Sequence, residues 1–553
     1  MNAEVSALAD ELVAVRFEEE PLEAALLGLI EGEVGLADLS SDAEARARAA
    51  YARIAEAAVS LRNRLLATGA TLHEIDLVTL DHVQFSAVTR GEFLAARGVE
   101  FSISDFHIAP LSSLIATLHQ LPLDSQSRRS AHLRRLSMLP VYLDQAAERH
   151  REGIAAGRTP TARGVRGAVD QIDEVLREDD LGGLRRHPDE QDHAFDAAQD
   201  AAVVDAVIPA LARYREFLQG EALSRGRSDE ESGLHWLPGG EDLYGTFVRA
   251  WTSTSRTPEE LHATGRAIID QLDEEFATIG TRLWGTADVA EIHERLRTDP
   301  ALRYADGAEI LSSALSCVRR AELAAPDWFG LIPSTPCAVE PVPDALADGS
   351  APAYYFTGAL DGSRPGTYFI NTSKPQQRFR HMAEAVAFHE AVPGHHFQLT
   401  IAQEASGHLV FAVFADTASA EGWGLYAERL ADEMGLYSSD VTRLGMLSTD
   451  AWRAARLIVD TGLHALGWSR QEAIDWMASH VPMSRLEVES EVNRYIVMPG
   501  QALSYMVGRL ELESLRRRAS DTHSVRDFHD LVLRTGPVAL PALQSAVTRW
   551  IET

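Results

Sequence analysis

Apolar side chains recur at three- and four-residue spacing through most of this chain, a period that admits little besides α-helix. The stretch 41–67 sets Ala, Leu and Ile at that spacing among Arg and Glu. Similar patterns run through 140–156, 165–177, 198–218, 258–283 and 308–325. "TSRTPEELHATG" marks one start: Thr257 suits an N-cap, Pro258 the first helical position, and Glu259 and Glu260 the first turn. Polar, glycine-containing stretches at 178–191 and 220–242 are expected as loops. A fixed-period repeat is missing, which disfavours a solenoid.

One region has a different texture. Between Phe329 and Pro375 the chain is rich in proline, glycine and aromatics. Within it "AYYF" and "TYFIN" read as short strands joined by the turn "DGSRPG". The expected fold is therefore mainly α with one small β ribbon. Two parts are expected to form one integrated unit: a helical lobe over 1–328, and a lobe over 329–553 carrying the ribbon and the helices after it.

The 553 residues carry a formal charge of -31, which argues against a nucleic-acid partner. Neither a basic-then-apolar leader nor an apolar run near the ~20 residues of a membrane helix is present. A cytoplasmic protein without a membrane partner is expected. Cys317 and Cys337 lack metal-ligand spacing and are expected to be buried small hydrophobes.

Directly after the ribbon comes "VAFHEAVPGHHFQ", residues 386–398. His389 and Glu390 open it like the metal-binding helix of a zinc peptidase. There, histidines four apart share a helix face and the glutamate is the general base. Position 393, however, is a proline, and the next histidines are His395 and His396. On an unbroken helix these would lie about 9 and about 10.5 Å along the axis, with His395 turned roughly 120° away. Pro393 breaks the helix, because it cannot donate to the carbonyl of residue 389 and crowds it. Gly394 opens backbone conformations closed to other residues. A kink there would swing a histidine back toward a metal. His395 is the expected ligand, with His396 as the alternative ligand or a substrate-facing group.

A catalytic zinc keeps three protein ligands and one open position. The third is expected from "ADTASAEGWGLYAERLADEMG", at Glu421. Ala418, Ala420, Gly422 and Gly424 keep its surroundings small enough for another helix to approach. Glu428, seven residues on, would orient a histidine. In "RLIVDTGLHALGW", Arg456, Asp460 and His464 are four apart on one face, a spacing that a salt-bridge stripe also explains.

These segments, with "LPVYLDQAAERHREGIAAGRTP" and "NRYIVMPGQALSYMVG", resemble a bacterial family known as "domain of unknown function 885". That family in turn looks like part of the zincin metallopeptidase class. More distantly the arrangement is similar to the helical zinc peptidases related to angiotensin-converting enzyme, thimet oligopeptidase and the thermostable carboxypeptidases. The resemblance implies a two-lobed helical metallopeptidase with the β ribbon beside its cleft. "GTYFIN" would then pair with substrate as an added strand, bringing Tyr368 and Asn371 to the substrate. It also implies an Arg-Tyr pair, Arg494 and Tyr495, in which the tyrosine donates to the oxyanion. Tyr505 follows ten residues later. Arg494 would alternatively hold a substrate carboxylate, and Asp460 would turn His464 toward the substrate carbonyl.

The expected activity is zinc-dependent hydrolysis of an amide bond in a short peptide. His389, His395 and Glu421 would hold Zn2+, and Glu390 would move the proton. Tyr495, with help from His464 or Tyr505, would stabilise the oxyanion, while Arg494 and His396 would face substrate. Two other readings are a small-molecule amidase or deacylase, and a non-catalytic helical binding protein.

Overall fold

The computed structural model describes residues 1–29, 35–69, 71–343, 347, 351–359 and 364–552. The fold is mainly α with one small sheet. Helices Ser41–Ala67 and Pro258–Trp284 fall where the periodicity puts them. Thr257 caps the second of these, accepting from the Glu260 N–H while the Glu260 side chain bonds back. The helix expected from Pro140 instead begins at Gln126, behind a Ser125 cap, and runs through the proline to Ala155. Its apolar stripe continues upstream through Ala131, Leu136 and Leu139, and burial of that stripe outweighs the proline's local preference. Cys317 and Cys337 are buried free thiols. No helix among the described residues is long and apolar enough to cross a membrane.

Buried apolar side chains form two cores. The smaller takes in Leu36 and residues from Ile103 to Ala222. The larger draws on Val5 to Ala87 and on Leu234 to Val547, so it spans position 328.

The site is built by six helices of this larger core: α1 (Ala383–Glu390), α2 (His395–Ser406), α3 (Thr417–Glu433), α4 (Asp440–His464), α5 (Arg485–Val497) and α6 (Ser504–Ala519). Helix α4 lies at the centre. Every residue from Leu444 to His464 except Trp452 is buried, so it has no solvent face. It packs along Pro258–Trp284, and α3 crosses α6. The crossing is close because it has no side chains in it. A Cβ on Gly422 would lie 2.5 Å from the Gly508 backbone, and one on Gly508 would lie 1.8 Å from the Ala418 carbonyl oxygen.

The sheet has three strands: β1 (Ala338–Pro341), β2 (Ala353–Phe356) and β3 (Thr367–Ile370). Their order is β1-β3-β2, with β3 parallel to β1 and antiparallel to β2. Strand β1 escapes the sequence pattern because its segment ends on Pro341, a residue tolerated only at sheet edges or ends. The expectation that "GTYFIN" forms a free edge is corrected: β3 is the central strand, hydrogen-bonded on both sides, and β2 is the edge next to α1. The turn expected over 361–366 falls partly outside the described residues.

The α3–α6 crossing yields a stability test. Gly508→Ala should destabilise the fold by roughly 1–3 kcal/mol through overpacking. Gly220→Ala, where an added methyl meets nothing within 4 Å, should be neutral or slightly stabilising. Calorimetric melting of both variants beside the wild type measures the difference.

Candidate metal centre

Helix α1 ends at Glu390 and α2 begins at His395, with Ala391 to Gly394 turning the chain between them. The Val392–Pro393 bond is cis. Gly394 has to be glycine, since a Cβ there would lie 1.8 Å from the His389 carbonyl oxygen. The indole N–H of Trp423, on α3, donates to the carbonyls of Pro393 at 2.9 Å and Gly394 at 3.2 Å. The kink is thereby tied to the helix that carries Glu421.

Across this bend the His389 and His395 rings meet edge to face, with centroids 4.8 Å apart. Nε2 of His389 lies 3.4 Å and Nε2 of His395 3.5 Å from Oε2 of Glu421. One ligand atom from each of the three lies within 4.8 Å of the others, the single such group among the described residues. Nδ1 of His389 donates to Glu428 at 2.8 Å, and Glu428 also accepts from the Thr449 hydroxyl on α4. That bond fixes the ring and leaves Nε2 for a metal. Gly424 makes room for the ring, because a Cβ there would sit 2.6 Å from it. Two imidazoles and one carboxylate, with one ring oriented by a carboxylate, suit a zinc ion.

Beside the triad, Glu390 accepts from the backbone N–H of Tyr355, on the edge strand β2, at 3.0 Å. Tyr505, on α6, stacks on the His389 ring at 6.4 Å between centroids. Burial raises its phenol pKa, and the Glu421 charge adds to the shift.

Several expected residues are engaged elsewhere. His396 turns away from the triad: Nε2 donates to the Thr335 carbonyl at 3.1 Å and Nδ1 accepts from the Tyr355 hydroxyl at 3.1 Å. Burial pushes its pKa down to about 4, so it is a neutral imidazole, and with both ring nitrogens committed it lies outside the metal group. His464 is corrected as an oxyanion group. It is fully buried, accepting from Leu234 N–H and donating to the Tyr495 carbonyl, both at 3.0 Å. Asp460 does not orient it, but accepts from the Tyr244 hydroxyl and the Gly500 N–H. Burial pushes the Asp460 pKa up to about 7. Tyr495 is also fully buried, and its hydroxyl donates to Glu491 at 2.7 Å. Arg494 bonds Glu491 and Gln501. Tyr368 and Asn371 are corrected as substrate contacts, because both side chains are buried. Tyr368, on β3, is fully buried, while Asn371 bonds the Ala347 carbonyl and the Ser373 N–H. Tyr355, Thr449 and Trp423 escaped notice in the sequence. Only Tyr355 left a signal there, as part of a recognised strand.

A family model described as a bacterial protein of unknown function (DUF885) matches residues 21–547. The chain belongs to that family. No curated protein matches it. Among solved structures, the chain is similar to a putative lipoprotein from Colwellia psychrerythraea, with 24% identity, a TM-score of 0.83 and 99% of each chain covered. It is also similar to a putative lipoprotein of unknown function from Shewanella oneidensis, with 16% identity, a TM-score of 0.75 and coverage of 98% of this chain and 99% of that one. At these identities the likeness shows a shared fold.

Three carboxylates around one imidazole have an electrostatic consequence in metal-free protein. Burial alone would lower the pKa of His389, but hydrogen bonds to Glu421 and Glu428 and the Glu390 charge push it up to about 10. A pKa raised on folding stabilises fully below the unfolded value of ~6.5, and that contribution is lost as pH rises toward 10. Protein stripped of metal should therefore lose thermal stability between about pH 7 and 10. His389→Gln should remove that part of the slope, as thermal melts of the two proteins across this range will reveal.

Proposed function

We propose that this protein is a zinc-dependent hydrolase of amide bonds acting on short peptides. The observation that carries this reading is the meeting of His389, His395 and Glu421 across a kinked helix, with Glu390 beside them. Zinc held by the three residues would polarise the scissile carbonyl and the attacking water.

Glu390 is the proton carrier. It removes a proton from the attacking water and delivers it to the leaving amine. Its bond to Tyr355 N–H ties it to the outer edge of β2. A peptide laid along that edge as an added strand would run past Glu390. Tyr505 takes the oxyanion role in place of Tyr495. Its ring lies against His389, whereas the Tyr495 hydroxyl is committed to Glu491. A phenol held beside the reacting carbonyl donates to the charge that develops there. The helical two-lobed zincin architecture implied by the sequence resemblance belongs to the same proposal.

The test combines metal content with turnover. Wild-type protein should bind close to one equivalent of zinc, as should His396→Ala. His389→Ala, His395→Ala and Glu421→Ala should lose most of it. Glu390→Gln should keep zinc while peptide hydrolysis falls by roughly 10²- to 10⁴-fold. Hydrolysis of N-acyl amino acids but of no peptide would replace the peptidase by a small-molecule amidase. Failure of the wild type to take up zinc would sink the metal mechanism altogether.

A further inference from the structure

Helix α4 passes the metal centre with one guanidinium that no acid answers. Arg453 is one helical turn beyond Thr449 and is 8% exposed. Its Cζ lies 4.3 Å from the Trp452 ring centroid and 5.7 Å from that of Tyr505. Among the described residues it makes no ion pair, and its buried Nε and Nη1 have no hydrogen-bond partner. The nearest acid in sequence, Asp450, is committed to Arg429 and Arg509.

Arg456, one turn further, shares the same two rings, with its Cζ 4.5 Å from Trp452 and 4.4 Å from Tyr505. It bonds Glu491 at 3.0 Å and the Tyr495 hydroxyl at 3.2 Å, yet its buried Nη1 also has no partner. Arg494 draws on Glu491 too. Two guanidiniums, Arg456 and Arg494, thus share one carboxylate, while Arg453 stands unanswered beside the tyrosine that stacks on His389. A charged donor left buried and unpaired is costly, and a partner that pairs with it removes that cost.

We infer that Arg453, with Arg456 Nη1, forms a carboxylate-binding subsite on the Tyr505 side of the metal centre and selects acidic peptides as ligands. This rests on the proposed hydrolase in taking the same cleft as the substrate path. The planar guanidinium matches a carboxylate, and the flanking rings hold it flat and partly dry, which strengthens a charge-assisted bond. The carboxylate has two sources, a peptide C-terminus or an acidic side chain.

The test measures binding, so it does not depend on turnover. Three probes are titrated calorimetrically into the Glu390→Gln protein, both zinc-loaded and metal-stripped: N-acetyl-alanyl-alanine, its C-terminal amide, and N-acetyl-alanyl-glutamate α-amide. At least one acid should bind roughly 10- to 100-fold more tightly than the neutral amide, with and without metal. Adding Arg453→Gln should abolish that preference, and Arg453→Lys should restore part of it. Preference for the first acid assigns the subsite to a C-terminus, and preference for the third assigns it to a side chain. Equal affinity of all three probes for the Arg453-containing protein overturns the inference, even if Arg453→Gln fails to fold. So does a preference that survives in folded Arg453→Gln, or one seen only with zinc present. Protein that binds no zinc but keeps an Arg453-dependent acid preference overturns the hydrolase reading and leaves the subsite standing.

Discussion

A helix with no solvent face carries charge cheaply only where its neighbours answer it, and α4, Arg453 apart, imposes that condition on the larger core. Asp450 is answered by Arg429 from α3 and Arg509 from α6. Asp460 is answered by Tyr244 and the Gly500 N–H, and Arg456 by Glu491 from α5. Each bond draws a different element onto one axis, and each would be costly to leave unmade at that depth. The helices around the candidate metal site are therefore positioned from behind. Thr449 of α4 bonds Glu428, and Glu428 orients His389. Such a chain of contacts holds a side chain more firmly than the packing of a single ring.

The bend between α1 and α2 depends on the same economy of contacts. At the start of α2 the Trp423 indole N–H donates to the Pro393 carbonyl and shares the Gly394 carbonyl with the Gln398 N–H. Trp423 stands two residues after Glu421, so one side chain relates the third candidate ligand to the other two. Gly394 and Gly424 remove the atoms that would obstruct this arrangement, and Gly422 with Gly508 lets α6 bring Tyr505 alongside. Missing side chains do as much here as those present.

Much of this was legible in the sequence, and the misreadings share a cause. The helical period, the capping pattern at Thr257 and the small β element follow from local spacing, and the bend that brings His395 back to His389 follows from what Pro393 forbids. Which tyrosine faces the centre does not, because Tyr495 and Tyr505 are separated by a turn and the start of α6 that set their directions. His464 sits at a suggestive interval from Asp460, yet both spend their bonds on Leu234, Tyr244 and Gly500, partners remote in sequence. Strand order misled in the same way. β1 brings the proline-ended segment 338–341 to the outside of β3, and no pattern within "GTYFIN" signals a neighbour nearly thirty residues upstream. Arg453 looks like any other arginine of a helix until its neighbours are known.

The unequal spread of the two cores along the chain bears on how the molecule comes into being. The smaller is nearly contiguous, from Ile103 to Ala222, and contacts close in sequence form quickly. The larger joins Val5, Leu8 and Leu12 to residues as late as Val547, and Ala539 N–H bonds His82 across 457 positions. During synthesis the compact middle of the chain can settle while the first helices still lack their last partners. The helices that carry His395 and Glu421 belong to that late-closing body, so the candidate metal site is among the final parts of the nascent protein to take shape.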